Sequence, residues 1–155
     1  MRFMTHALSM AHTGITVRDL DASLAFWTQV LGAQLERRFD LSGDFAANVT
    51  GVPGAHISAA VVALGENRLE LLQYLQPSER DHLRPRPCDL GSWHIALTVE
   101  NTDDITDVVT SCAHYGWRLA GSVQTMTDGP RAGARFAYLH DPDGATLELI
   151  QEARR

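Results

Sequence analysis

The chain repeats itself. Met10-Ala11-His12-Thr13-Gly14-Ile15-Thr16-Val17 returns as Ser92-Trp93-His94-Ile95-Ala96-Leu97-Thr98-Val99, and both copies read His, any residue, a small residue, Ile or Leu, Thr, Val. A second matched pair follows, Leu69-Glu70-Leu71-Leu72 and Leu147-Glu148-Leu149-Ile150. The histidines stand 82 positions apart and the glutamates 78. Repetition at a near-constant offset marks a duplicated structural unit. Whatever the first half folds into, the second half must reproduce, with one His and one Glu at equivalent places.

The elements fall in the same order in both halves. Residues 11–17 alternate and are rich in β-branched side chains, so they read as a strand. Aspartates at 19 and 21 then open a helix over about 21–31, with Leu24, Trp27, Val30 and Leu31 on one stripe and Gly32 to stop it. Strands are expected at 34–40, 56–64 and 68–75, with a Gly- and Pro-containing loop or short helix at 41–54. Residues 76–91 hold Pro77, Pro85, Pro87 and Gly91 among charges and read as a linker. In the second half, strand 93–99 leads to a helix over about 103–115, with Ile105, Val108, Val109 and Cys112 inward. Strands near 117–124, 134–140 and 145–151 follow, the last two joined by the turn-forming Asp141-Pro142-Asp143-Gly144. Residues 1–9 read as a loose lead-in and 152–155 as a polar tail. The result is an α+β fold of two βαβββ modules, 10–75 and 92–151, within one domain spanning 1–155.

Alternate strand side chains share a face. Ile15 and Val17 turn toward the helix, so His12, Gly14 and Thr16 face away, and His94, Ala96 and Thr98 repeat the pattern. In Leu69-Glu70-Leu71 and its copy the leucines face the helix and the glutamate does not. A carboxylate among apolar strand residues is costly unless paired, hydrogen-bonded or bound to metal. Taken singly, each of these residues suits a structural role. Two modules related by an approximate two-fold would bring all four to one point, and His12, Glu70, His94 and Glu148 suit a divalent zinc, nickel, cobalt, iron or manganese ion.

Composition narrows the partners. A formal net charge of −6 speaks against nucleic acid, whose phosphates need a basic face. No run of about 18 apolar residues suggests a membrane span, and Met1–Met10 lacks the apolar centre of a signal peptide, so the expected location is cytoplasmic. All 13 basic residues are arginine. Cys88 and Cys112 have no metal-site spacing; Cys112 reads as a core residue and Cys88 as incidental. Arg131 and Arg135 are candidate contacts for a substrate carboxylate or phosphate, and loops 41–54 and 125–133 for a cover over the cleft. Trp93, Trp117, Phe136 and Tyr138 could line a pocket, although core packing is the simpler role. His140 reads as structural.

The stretches HTGITVRDLDASLAFWTQVLGAQL, NRLELLQY, HIALTVEN and FAYLHDPDGATLELIQ resemble the vicinal oxygen chelate superfamily, which includes glyoxalase I, methylmalonyl-CoA epimerase, extradiol dioxygenases and bleomycin-resistance proteins. The resemblance covers residues 10–151. It implies strands curled into a half-open mixed β-barrel, a metal held by His12, Glu70, His94 and Glu148, a small oxygen-chelating substrate, and a homodimer. It also implies a lyase or isomerase that abstracts a proton next to a carbonyl, with Glu148 as the first choice of base and Glu70 the second. Methylmalonyl-CoA epimerases carry a further glutamate where this chain reads Pro53-Gly54-Ala55-His56, which counts against that branch. The alternatives are a metal-free sequestering protein of the bleomycin-resistance type and an Fe(II) extradiol dioxygenase.

Overall fold

The computed structural model describes residues 8–100 and 102–154; residues 1–7 of the expected lead-in and Arg155 of the tail lie outside it. The chain divides into two compact units, with the boundary between Ser78 and Glu79.

The first unit contains β1 (Thr13–Thr16), α1 (Leu20–Ala25), β2 (Gln34–Leu41), α2 (Gly43–Thr50), β3 (His56–Leu64) and β4 (Asn67–Gln76). Its sheet runs β1-β4-β3-β2, with β1 parallel to β4 and the other pairs antiparallel. The second unit contains β5 (Ile95–Thr98), α3 (Ile105–Ala113), β6 (Arg118–Leu119), β7 (Gln124–Thr125), β8 (Arg135–His140) and β9 (Thr146–Gln151). Its sheet runs β5-β9-β8-β6, with β7 also on β8, and β5 is parallel to β9. The α+β class and the doubled order of elements are as expected. Each sheet is open and closes no barrel, so the anticipated half-open barrel takes the form of two open mixed sheets.

Local departures have physical causes. After six residues α1 widens into a π-helical turn over Phe26–Val30, closed by the Leu31 N–H on the Phe26 carbonyl. That extra residue per turn brings Phe26 inward beside Trp27, while Val30 and Leu31 end only half-buried. A six-residue helix is unstable alone; burial of Leu20, Leu24, Phe26 and Trp27, each contributing about 1.5–3 kcal/mol, holds it. The expected strand at 117–124 survives only as the two-residue pieces β6 and β7, interrupted by the segment around Gly121. Cys112 is fully buried and Cys88 exposed, both free; burial pushes the Cys112 thiol up to about 11.

Helices α1 and α3 are fastened to their sheets by the same device. Asp19 caps α1 by accepting the Ala22 N–H, and Asp104 caps α3 by accepting the Thr106 N–H. The first helical N–H then donates to a strand glutamine: Leu20 to Gln73 at 2.9 Å and Ile105 to Gln151 at 3.2 Å. These glutamines stand three residues after Glu70 and Glu148. Gln151 is 3% exposed and also donates to the Asp103 carbonyl at 2.7 Å. Gln151→Ala is expected to cost about 2–3 kcal/mol, because it strands buried polar partners, and the half-buried Gln73→Ala about 1 kcal/mol. Urea unfolding checks this, and equal, near-zero losses in both variants would refute it.

Candidate functional site

In the first unit the parallel register sets Gly14 beside Glu70. Ile15 and Val17 are buried, whereas His12, Gly14 and Thr16 are exposed, so the strand alternation is that inferred from sequence. His12 lies one residue ahead of the ladder on the glutamate's face. Its Nε2 is 3.2 Å from Glu70 Oε2, with the side chains 44% and 13% exposed.

The second unit repeats this geometry. Ala96 sits beside Glu148 in the β5–β9 register. His94 Nε2 is 3.2 Å from Glu148 Oε2, with the side chains 39% and 18% exposed. The two halves therefore present the same pair of donors at the same separation and nearly the same burial. The strand ends match as well: the Val17 N–H donates to Leu72 O and the Val99 N–H to Ile150 O.

The separation suits a shared ion. Two ligand atoms each about 2.0–2.2 Å from a divalent ion lie about 3.0 Å apart at a right angle and about 3.4 Å apart at a tetrahedral one. Charge-assisted hydrogen bonds are usually shorter, about 2.7–2.9 Å. Each pair could thus serve as two adjacent ligands, and imidazole plus carboxylate is the donor chemistry of borderline divalent ions. Among the described residues no group of three or more His, Cys, Asp or Glu is placed to hold a metal ion. Each unit brings together a pair.

The surroundings of the two pairs differ. Tyr138 on β8 is the cross-strand partner of Glu148, and its Oη lies 3.5 Å from His94 Nε2. Its ring sits 4.9 Å from the imidazole, tilted by 45°. Burial pushes the Tyr138 phenol above its usual value and the Glu148 charge adds to this, so it keeps its proton at neutral pH. In the first unit the cross-strand partner of Glu70 is Val61. There α2 packs its Ala46 into a small core with Ala55, Ile57 and Ala59, and Leu72 and Tyr74 join that core from β4. Leu72 shares a face with Glu70, so α2 borders the glutamate's side of this sheet.

Arg135 shares a face with the buried Ala137 and Leu139, opposite to Tyr138 and Glu148. Its guanidinium donates to Asp104 at 2.8 Å and to Gln151 at 3.4 Å. That placement ties it to the start of α3. Arg131 pairs with Glu152 and lies 4.9 Å over the Phe136 ring. A third arginine, Arg68, stands two residues before Glu70 on the same face and grips Glu36 through both carboxylate oxygens at 2.9 and 3.0 Å. Among the aromatics, Trp117 is core, whereas Trp93, next to His94, is 54% exposed. His140 is structural, its Nδ1 3.0 Å from Thr146 Oγ1. Neither the Tyr138 contact nor the glutamine caps was anticipated. Only the shared ending of the two copies, Leu-Glu-Leu-Leu-Gln and Leu-Glu-Leu-Ile-Gln, could have signalled the caps.

The comparisons with known proteins agree with this duplicated architecture. The chain is 37% identical over 148 residues to a 2-epi-5-epi-valiolone epimerase from an Actinomyces species, covering 93% of this chain and 79% of that one. It is 32% identical over 149 residues to a probable lactoylglutathione lyase from a Synechocystis strain, covering 94% and 97%. The crystal structure of a glyoxalase family protein from Bacillus cereus superposes with a TM-score of 0.80 at 27% identity, covering 97% of each chain. The family model described as Glyoxalase/Bleomycin resistance protein/Dioxygenase superfamily matches residues 9–149. With its fold, its repeat and nearly its whole length accounted for, the chain belongs to the glyoxalase/bleomycin resistance/dioxygenase superfamily.

Proposed function

We propose that His12, Glu70, His94 and Glu148 hold one divalent ion (zinc, nickel, cobalt, iron or manganese), and that the protein is a lyase or isomerase. It moves a proton at a carbon next to a carbonyl in a small substrate carrying neighbouring oxygens. The observation that carries this reading is the pair of His–Glu contacts, both 3.2 Å and both at the same strand positions. A bound ion supplies Lewis-acid polarisation of the carbonyl. The protein supplies the proton transfer: the Glu148 carboxylate takes the proton from carbon and returns it, with Glu70 as the second acid–base group. A carboxylate from each half suits epimerisation, in which the proton leaves one face of the carbon and another arrives on the opposite face. The relatives named as an epimerase and a lyase support this class of chemistry. A homodimer in the cytoplasm, with one ion ligated from within a chain or across two copies, belongs to the same proposal.

A second reading, sequestration of a small molecule without metal, draws on exposed Trp93 beside His94 and on Tyr138 against the imidazole. Elemental analysis of protein purified without added metal separates the two. About one ion per site in the wild type, lost in His12→Ala and in Glu148→Ala, supports the enzyme. A metal-free wild type that binds a hydrophobic compound tightly supports sequestration. Iron as the bound ion, with oxygen consumed on a catechol, would favour a dioxygenase. Solvent deuterium entering α-hydroxy carbonyl or thioester substrates, followed by NMR, identifies the isomerase.

A further inference from the structure

We propose that Arg37 on β2 anchors an anionic group of the substrate, a carboxylate or a phosphate, at the end of the molecule remote from the oxygens held beside Glu70. This rests on the metal reading above. The strand register carries it: Arg37 is the cross-strand partner of Val61, and Val61 is that of Glu70. The three residues form one row on one face of the first sheet, and two strand spacings put the Arg37 and Glu70 Cα atoms about 10 Å apart. Simple alternation along β2 would not give this row. The β2–β3 pairing slips between Leu35 and Arg37, which leaves Glu36 as an extra residue. Without that bulge Arg37 would stand opposite Ala60, on the other face, where Arg38 now reaches Asp21 of α1. Bulges beside functional sites re-aim side chains in this way.

The neighbouring charges leave Arg37 available. Glu36 is already gripped by Arg68 through both oxygens, and among the described residues no carboxylate forms an ion pair with Arg37. Its guanidinium instead lies 5.1 Å over the Phe39 ring. Phe39 packs into the small core that includes Ala46 of α2, so this platform is fixed while Arg37 itself stays exposed. A guanidinium stacked on a ring keeps its in-plane N–H donors for a carboxylate or phosphate. The two arginines expected from the sequence to meet such a group are occupied, Arg135 by Asp104 and Arg131 by Glu152. At the equivalent place in the second unit Ala120 stands beside Tyr138, to whose carbonyl its N–H donates. The row in that half carries no arginine, so a substrate with chelating oxygens at one end and an anion at the other has one direction in which to lie.

The test uses cobalt(II) as a spectroscopic ion and three hydroxamates of matched length as chelating probes. Pentanohydroxamate has a neutral tail, glutarate monohydroxamate a carboxylate tail, and the third a phosphate tail. Each is titrated into the cobalt form and followed by visible absorption. Wild type is expected to bind an anion-tailed probe about 3- to 10-fold more tightly than the neutral one, between an exposed ion pair and a charge-assisted hydrogen bond. Arg37→Gln should lose that preference and keep its affinity for the neutral probe within about twofold, because only the tail contact is removed. Arg38→Gln removes an equal charge from the opposite face and should retain the preference. Whichever anion wild type prefers names the group on the substrate. Equal affinity for all three probes overturns the proposal, as does a preference that survives in Arg37→Gln or disappears equally in Arg38→Gln. A wild type that binds no cobalt(II) is a separate failure, which removes the metal reading and this proposal with it.

Discussion

Glu148→Gln is expected to slow solvent-deuterium incorporation into an accepted carbonyl substrate by about 10²- to 10⁴-fold, the range for losing a positioned general base. The amide keeps an oxygen at the same place on β9, so bound metal should fall far less than in Glu148→Ala. Glu70→Gln separates the roles of the two acids. If Glu148 alone moves the proton, Glu70→Gln retains exchange at the substrate carbon. If the acids act on opposite faces, Glu70→Gln still exchanges the proton but no longer interconverts the epimers. NMR of substrate in deuterium oxide, paired with metal analysis of each variant, reads all of this. Full exchange activity in Glu148→Gln would remove Glu148 from the chemistry.

The largest effect on stability should come from Gly144→Ala. Gly144 has φ of +101°, and a Cβ there would lie 1.9 Å from the Leu83 carbonyl oxygen, with Arg84 Cα at 3.3 Å. Both obstacles are backbone, which cannot swing aside as a flexible side chain would. The turn around it is closely bonded: Asp141 Oδ1 accepts the N–H groups of Asp143 and Ala145, and Arg84 donates to the Pro142 carbonyl. A loss of about 3 kcal/mol or more is expected from strain and clash together, lowering the melting temperature by about 6–12 °C. Gly14→Ala is the contrast. Its added Cβ would meet Leu72 Cδ1 at an ordinary 3.5 Å, and the other half already carries Ala96 there, so the change should stay within about 1 kcal/mol. Calorimetry on both variants decides; a Gly144→Ala melt within 2 °C of wild type, roughly below the effect of 1 kcal/mol, would contradict the turn geometry.

What could be read from the sequence followed from short periods. Alternation in His12–Val17 and His94–Val99 assigns faces to side chains without knowledge of any distant contact, and the repeat supplies an internal control. The joining of each His to its Glu was inferable because both lie on strands of one duplicated module. The π-helical turn was not legible, because widening at Phe26 follows from packing against the sheet and leaves no periodic trace. Helix α2 was ambiguous because Gly43, Gly51 and Gly54 suit a loop as well as helix ends. Tyr138 was read only as one of several aromatics that could line a pocket; its contact with His94 was not legible because its nearness to Glu148 depends on the β8–β9 register, which hydrophobic pattern alone does not set. The tie of Arg135 to Asp104 and Gln151 was hidden for a similar reason: only the structure shows that it shares the helix-covered face with Ala137 and Leu139.

The spacing Glu-x-x-Gln, present in both β4 and β9, acts as a proofreading mark for assembly. Three is odd, so the acid and the amide emerge on opposite faces of one strand. A pairing error of a single residue would turn the carboxylate under the helix and in the same movement pull the glutamine off the amide it accepts. Both penalties fall on the same mistake, so only the frame that seals the helix end also presents the acid beside its histidine.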